Sequence, residues 1–148
     1  MITRRLFNTG LMALPALTLP AMPALAAAPT RIRMGMLYDY DKDMAFSPLA
    51  EELTGTEVEI QGFMAPHLKV DSDFFVLSNT PVETCPFCES EDDWIDTIIF
   101  VVMRERQEAI HPGTLIWTRG TLDIGPAVDE ATGFVSRVRL LNADFYEA

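Results

Sequence analysis

Two cysteines carry the clearest chemical signal in this sequence. Cys85 and Cys88 are the only cysteines in the chain, and they are spaced as Cys-Pro-Phe-Cys. Two thiols at this spacing can hold half of a tetrahedral metal site, act as a redox disulfide, or close a short structural loop. The spacing therefore predicts paired thiols and leaves these three uses open.

A metal site at this pair needs further ligands, because tetrahedral zinc takes about four donors. The only two histidines, His67 and His111, each fall in a predicted connection between strands. The carboxylates of Asp92 and Asp93 follow the cysteines closely and are alternative donors. If the barrel brings these connections to one end, the two thiols and two imidazoles form a ligand set that suits zinc or copper(I). The predicted metal ligands are Cys85, Cys88, His67 and His111, and the sequence predicts no catalytic residue.

The Cys-Pro-Phe-Cys motif is also typical of glutaredoxins. In a thioredoxin-type fold the motif begins a helix of about ten residues, whose N-terminus lowers the pKa of the first thiol. Here only eight residues, 89–96, separate Cys88 from the next predicted strand, and five of them are acidic, which raises the pKa of a nearby thiol. Thiol–disulfide exchange and a structural disulfide remain as the alternatives to metal binding.

The first 27 residues have the pattern of an export signal. Arg4 and Arg5 precede a run from residue 11 to 28 that contains only Leu, Met, Ala, Pro and Thr, and Ala24-Leu25-Ala26 matches a signal-peptidase site. The Arg pair followed by Phe7 is typical of the twin-arginine pathway. We expect cleavage near Ala26 and a periplasmic protein. A general secretory signal with a chance pair of arginines is the alternative.

The chain is strongly acidic, with 22 Asp and Glu against 11 Lys and Arg. Removal of a signal containing Arg4 and Arg5 leaves nine basic residues and makes the imbalance larger. Nucleic acids and anionic lipids repel such a surface, so neither is an expected partner. No later segment approaches the 18 apolar residues of a membrane span, and we expect none after signal removal.

The pattern beyond residue 46 predicts a mainly β fold. Ser47 is a good N-cap and Pro48 suits the first helical position, which indicates one short helix over 47–53. Gly62 suggests a bulge or bend, and Gly120 a kink. We predict an N-terminal arm over 28–46, with a short strand near 32–37, and a five-stranded OB-like barrel over 47–148; a half-open β-sandwich is the alternative. The predicted strands are 56–61, 74–77, 97–103, 114–124 and 134–140.

Five segments carry a resemblance to a known family. They are Gly-Phe-Met-Ala-Pro at 62–66, Phe-Phe-Val-Leu at 74–77, Cys-Pro-Phe-Cys at 85–88, Trp-Thr-Arg-Gly-Thr-Leu at 117–122 and Ser-Arg-Val-Arg-Leu at 136–140. Together they resemble, over about residues 47 to 146, an uncharacterised family of small bacterial exported proteins. Some members resemble components encoded beside zinc-responsive ABC transport systems.

The resemblance implies a binding or accessory role near metal handling, with an ABC transporter or another periplasmic protein as partner. It points to the Cys motif as the candidate site. We therefore expect a periplasmic binding protein rather than an enzyme. Thiol–disulfide exchange, or an interaction module with a structural disulfide, is the alternative function.

Overall fold

The computed structural model describes residues 28–66, 73–83, 97–108, 110–111, 113–130 and 133–148, and strands dominate these ranges. The predicted mainly β fold with one short α-helix is confirmed within them. Two short 3₁₀ helices, Met34–Leu37 and Tyr40–Lys42, precede the helix. The elements in chain order are β1 (Thr30–Ile32), β2 (Tyr38–Asp39), β3 (Ala45–Phe46), α1 (Pro48–Leu53), β4 (Glu57–Met64), β5 (Phe74–Ser78), β6 (Ile98–Met103), β7 (Leu115–Val128) and β8 (Val135–Glu147).

Five of the strands pair in a closed ring. β4 pairs with β5, β5 with β6, β6 with β8, β8 with β7, and β7 returns to β4. Only the pair of β6 and β8 is parallel; the other four are antiparallel. The return of β7 to β4 closes the ring, so these strands do not form a half-open sandwich. The arrangement is that of a small OB-like barrel, in which closure leaves few free strand edges.

Helix α1 begins where its sequence predicts. The Ser47 hydroxyl accepts a hydrogen bond from the Ala50 amide at 3.1 Å, which satisfies one of the free donors at the helix start. Pro48 lies at the first helical position, where its missing amide hydrogen is no loss. Gly55, with φ of 79°, follows the helix and turns the chain into β4.

The predicted strand near 32–37 is wrong over most of its length. Strand β1 ends at Ile32, where it runs parallel to β4, and the next residues form the 3₁₀ helix Met34–Leu37. Met34 and Leu37 are both buried, and a spacing of three residues places both on one side of a 3₁₀ helix. The segment of 28–46 thus supplies side chains to the barrel core.

The remaining strands lie where they are predicted, but three of them are longer by at least three residues: β4 continues three residues past its predicted end and β7 four. β8 continues seven residues past its predicted end, because it stays paired with β7 until Glu147 lies opposite Ile116. The register between β7 and β8 shifts at Gly120, as the predicted kink requires. The largest fully buried side chains fill the barrel interior: Phe75, Leu37, Ile60, Leu77, Ile99, Ile116, Leu122 and Leu140.

The connections alternate between the two ends of the barrel. We call the end at which β4 finishes the upper end. Because β5 and β7 run opposite to β4, while β6 runs with it, the β4–β5 and β6–β7 connections lie at the upper end. The β5–β6 and β7–β8 connections lie at the lower end. In the described residues no helix is long and apolar enough to cross a membrane.

Gly62 is required by the approach of β5 and does not form a bulge. The register of β4 against β7 runs regularly through Gly62, which lies opposite Ile116. A Cβ at residue 62 would lie 2.6 Å from the Ser78 carbonyl oxygen and 2.9 Å from Leu77 Cγ. The barrel therefore closes over a position where only a glycine fits.

We expect Gly62→Ala to destabilise the barrel by about 1–3 kcal/mol, because the added methyl overlaps a backbone oxygen that cannot move without breaking the β4–β5 pair. Urea denaturation measures the change. Gly35→Ala is the matched control, since a Cβ there meets its nearest atom, the Tyr40 hydroxyl, at 3.4 Å. Equal stability of the Gly62 and Gly35 variants would contradict the proposed close approach.

Candidate functional site

Three of the four predicted metal ligands lie outside the described residues. Cys85 and Cys88 belong to 84–96 and His67 to 67–72, both of which fall in gaps of the described ranges. His111 lies within the described residues. It is exposed and belongs to the connection between β6 and β7. Among the residues that the structure describes, no group of three or more His, Cys, Asp and Glu side chains is arranged to hold a metal.

The strands fix where the connections with these residues begin and end. The β4–β5 connection, which contains His67, and the β6–β7 connection, which contains His111, both leave the upper end of the barrel. The β5–β6 connection with the two cysteines leaves the lower end, where the Asn79 amide donates to the Thr97 carbonyl at 3.0 Å. The cysteine connection therefore starts from the opposite end to both histidine connections.

A buried carboxylate lies on the outer surface of the barrel, on β4. Glu59 points away from the core formed by its neighbours Val58 and Ile60, yet it is only 2 % exposed. Arg31 on β1 donates from Nε to Glu59 Oε2 at 2.8 Å, and Arg119 on β7 donates from Nη2 to Oε1 at 2.9 Å and from Nε at 3.2 Å. Two guanidinium groups thus cover one carboxylate.

Two aromatic side chains complete this cluster. The Tyr146 hydroxyl donates to Glu59 Oε1 at 3.1 Å and accepts from Arg31 Nη2 at 3.4 Å. The Arg31 guanidinium lies 4.5 Å from the centre of the Trp117 ring, within the range of a cation–π interaction. We call the residues Arg31, Glu59, Trp117, Arg119 and Tyr146, with their outward neighbours Gln61, Phe63 and Leu115, the arginine–aromatic surface.

The register explains why these residues meet. Arg31 lies directly opposite Glu59 in the β1–β4 pair, and Glu59 lies opposite Arg119 in the β4–β7 pair. Arg119 in turn lies opposite Asp144 on β8, which is 3.9 Å from Arg104. Cross-strand pairs of opposite charge stabilise a sheet. The result is a row of alternating charges across four neighbouring segments of the barrel surface.

Burial and hydrogen bonding act in opposite directions on Glu59. Burial raises the pKa of the Glu59 carboxyl, but the hydrogen bonds from Arg31, Arg119 and Tyr146 together outweigh burial and leave this pKa below its ordinary value. The carboxylate is therefore charged at neutral pH and holds both guanidinium groups in place.

A second arginine cluster, at the β7–β8 hairpin, has a structural role. Arg139 is largely buried and donates to Asp123 Oδ2 at 2.7 Å and to the Gly125 carbonyl at 2.8 Å. It also donates to the carbonyl and hydroxyl oxygens of Ser136. All these acceptors belong to the two strands of the hairpin. The cluster therefore ties the two strands of the hairpin together.

No local pattern in the sequence indicates the arginine–aromatic surface. Glu59 lies 28 residues from Arg31, 60 from Arg119 and 87 from Tyr146. The alternation along 56–61 assigns Glu59 only to the polar face of a half-buried strand. Which arginine lies opposite it depends on the pairing register, so this set of residues becomes visible only in the folded barrel.

No family model matches this chain, and no curated protein matches it. A solved structure of similar fold is the crystal structure at 2.45 Å resolution of a DUF3299 family protein from Pseudomonas aeruginosa PAO1. The two chains are 15 % identical, the match covers 82 % of this chain and 98 % of the other, and the TM-score is 0.52. At this identity the similarity shows the fold alone. It agrees with the resemblance to an uncharacterised family and does not bear on export or zinc.

We expect the stability of the protein to fall in acid partly through Glu59. Because the pKa of Glu59 is lower in the folded chain than the value of about 4.3 in an unfolded one, its contribution is complete above that pH and is lost as pH falls through the folded value. Glu59→Gln should cost about 1–3 kcal/mol at pH 7 and flatten the pH dependence below about pH 4.

Urea denaturation at several pH values between 7 and 3 tests this expectation. Glu57→Gln is the matched control, since Glu57 is exposed on the same face of β4, two residues earlier. If Glu57→Gln changes the acid dependence as much as Glu59→Gln does, the special role of the buried carboxylate is wrong.

Proposed function

We propose that this chain is a non-enzymatic periplasmic binding or accessory protein that takes up zinc or copper(I) through the connection that carries Cys85 and Cys88. The observation that supports this proposal most is where that connection is attached. It runs from Asn79 to Thr97 between two adjacent strands, whereas such strands are usually joined by two to five residues. Long insertions on a rigid scaffold commonly carry function.

The barrel is closed without this connection. The Asn79–Thr97 hydrogen bond closes the end of the β5–β6 hairpin, and the core beneath it is filled by strand residues such as Leu77 and Ile99. Val82, near the start of this connection, packs against the small hydrophobic cluster of Ala65, Val76 and Phe100, and the two cysteines lie beyond it in the sequence. Paired thiolates are the preferred ligands of zinc and copper(I).

The attachment points favour ligands from the same connection. Cys85 is six positions along the chain from Asn79, and even a fully extended chain of that length spans only about 20 Å. That length is similar to a whole barrel strand, so Cys85 meets His67 or His111 only if one connection extends along the side of the barrel. We therefore propose Asp92 and Asp93 as the partners of the two thiolates, ahead of the histidines.

The resemblance to exported proteins supports a periplasmic location and service to an ABC transporter. A binding protein for such a transporter must hold its metal reversibly. We propose that the two thiolates and two carboxylates of this connection meet this requirement.

Metal titration of the reduced protein by calorimetry is the direct test. We expect uptake of one zinc or copper(I) with release of protons, because both thiols must ionise. Cys85→Ser combined with Cys88→Ser should abolish uptake and leave the far-UV circular dichroism unchanged. Asp92→Asn with Asp93→Asn should weaken binding at least about tenfold, because two of the four donors are lost.

His67→Ala and His111→Ala are the matched controls and should change the affinity little. A larger loss from either histidine variant than from the aspartate pair would reverse the proposed ligand set. Absence of metal uptake by the reduced protein would contradict metal binding. In that case a low pKa of the Cys85 thiol would indicate thiol–disulfide exchange, and an ordinary one near 8.5 a structural disulfide.

The export route is tested separately. Replacing both Arg4 and Arg5 by Lys keeps the positive charge that the general secretory route needs but removes the guanidinium pair. We expect the precursor to accumulate in the cytoplasm, as measured by cell fractionation and the size of the processed band. Arg31→Lys with Arg33→Lys, outside the signal, is the control. Normal processing of the Arg4/Arg5 variant would show that the twin-arginine pathway is not required.

A further inference from the structure

A second hydrophobic cluster lies on the outside of the barrel, over β5 and β6. Side chains alternate along a strand, so Phe75 and Leu77 belong to the interior while Val76 faces outward. Val76 lies opposite Phe100 on β6, and the two are 2 % and 3 % exposed. We call the following residues the outer core: Ala65, Phe74, Val76, Val82, Ile98, Phe100, Val102 and Phe134.

The outward side of these two strands is apolar. Phe74 lies opposite Val102, in the row next to Val76 and Phe100. An antiparallel pair that faces water carries polar residues on that side, so an apolar outer side is covered by another part of the protein. Within the described ranges, connections supply the members of the outer core from outside β5 and β6: Ala65, Val82 and Phe134. The connections of the barrel therefore cover this face.

Three aromatic rings of the outer core form a stacked row. Phe100 stacks on Phe74 and on Phe134, in each case with the ring centres 5.3 Å apart. Phe100 is buried, but Phe74 and Phe134 at the two ends of the row are only half-buried. A further aromatic side chain gains both buried area and stacking at such a place.

The cysteine connection turns back onto this face at its start. Val82 lies four positions after Ser78, the last residue of β5, and packs on the outer core. Trp94 lies four positions before Ile98, the first residue of β6, and Ile98 itself belongs to the outer core. Trp94 thus has the same reach from the second end of the connection as Val82 has from the first.

We propose that the outer core docks the cysteine connection of its own chain through Trp94, whose ring packs on Phe100 and Phe134. The part of the connection outside the described residues, 84–96, is largely polar and acidic. Its large apolar side chains are Phe87, Trp94 and Ile95. Trp94 has the largest apolar surface of the three and the ring that extends the aromatic row.

Docking at Trp94 restrains the carboxylates that we propose as metal ligands. Asp92 and Asp93 directly precede Trp94 in the chain. A segment that is already held loses less conformational freedom when it binds a ligand, so its affinity is higher. This consequence rests on the proposed metal site, whereas the docking itself does not.

Nuclear Overhauser spectroscopy on the reduced, metal-free protein tests the docking directly. We expect contacts from the Trp94 indole protons to the Val82 methyl groups and to the Phe134 ring. Trp117 is the internal control, because its ring faces the Arg31 guanidinium and should show neither contact. Absence of both contacts for Trp94 would overturn the proposal.

A double-mutant cycle measures the same contact through stability. Trp94→Ala should raise the equilibrium constant of unfolding in urea about tenfold, and by less than about threefold when Phe134→Ala has already removed its neighbour. Phe87→Ala, in the same connection, should change it little. Equal effects of Trp94→Ala in the two backgrounds, or a larger effect of Phe87→Ala, would show that Trp94 is not the docked residue.

Zinc titration by calorimetry tests the coupling. Trp94→Ala should weaken zinc binding about tenfold although it removes no ligand, and Trp94→Phe, which keeps an aromatic ring, should restore most of the affinity. Unchanged affinity of Trp94→Ala would overturn the coupling. A protein that shows the Trp94 contacts and takes up no zinc would keep the docking and reject the proposed metal site.

Discussion

Strand β4 imposes the constraint on which the rest of the structure depends, because it is paired on both edges. One edge pairs with β7 over seven residues, and the other edge pairs first with β1 and then with β5. This double pairing closes the ring and is possible only because Gly62 lets the Ser78 carbonyl approach to a distance that a methyl group would block. The barrel, its core and the ends from which its connections leave all follow from the position of this strand.

The same strand explains how a carboxylate becomes buried on the outside of a small barrel. A residue on the outward side of a paired strand has neighbours on both adjacent strands, and Glu59 has an arginine on each of them. The three hydrogen-bonding partners repay the desolvation of the carboxylate and keep it charged, which is why its pKa lies below the ordinary value although burial acts in the other direction. The short β1 strand is thereby tied to the barrel by an ionic contact as well as by backbone pairing.

The thiol pair and the arginine–aromatic surface belong to different parts of one scaffold. The two cysteines belong to the connection that leaves the lower end of the barrel between β5 and β6. The arginine–aromatic surface is carried by the strands themselves, so its geometry is as rigid as the register that creates it.

The sequence by itself determined the elements of this protein, because their signals are local. Ser47 and Pro48 mark the start of α1, period-two alternation and apolar runs mark the five barrel strands, and the Cys-x-x-Cys spacing marks the paired thiols. Local patterns predicted the wrong structure where tertiary contacts determine it. Residues 34–37 form a 3₁₀ helix that buries Met34 and Leu37 in the core, and β8 continues to Glu147 because it stays paired with β7. Only the fold decided that Glu59 lies between Arg31 and Arg119, and that the cysteine and histidine connections leave opposite ends of the barrel. The reason is that strand direction and register are properties of paired strands and are not encoded in any single segment.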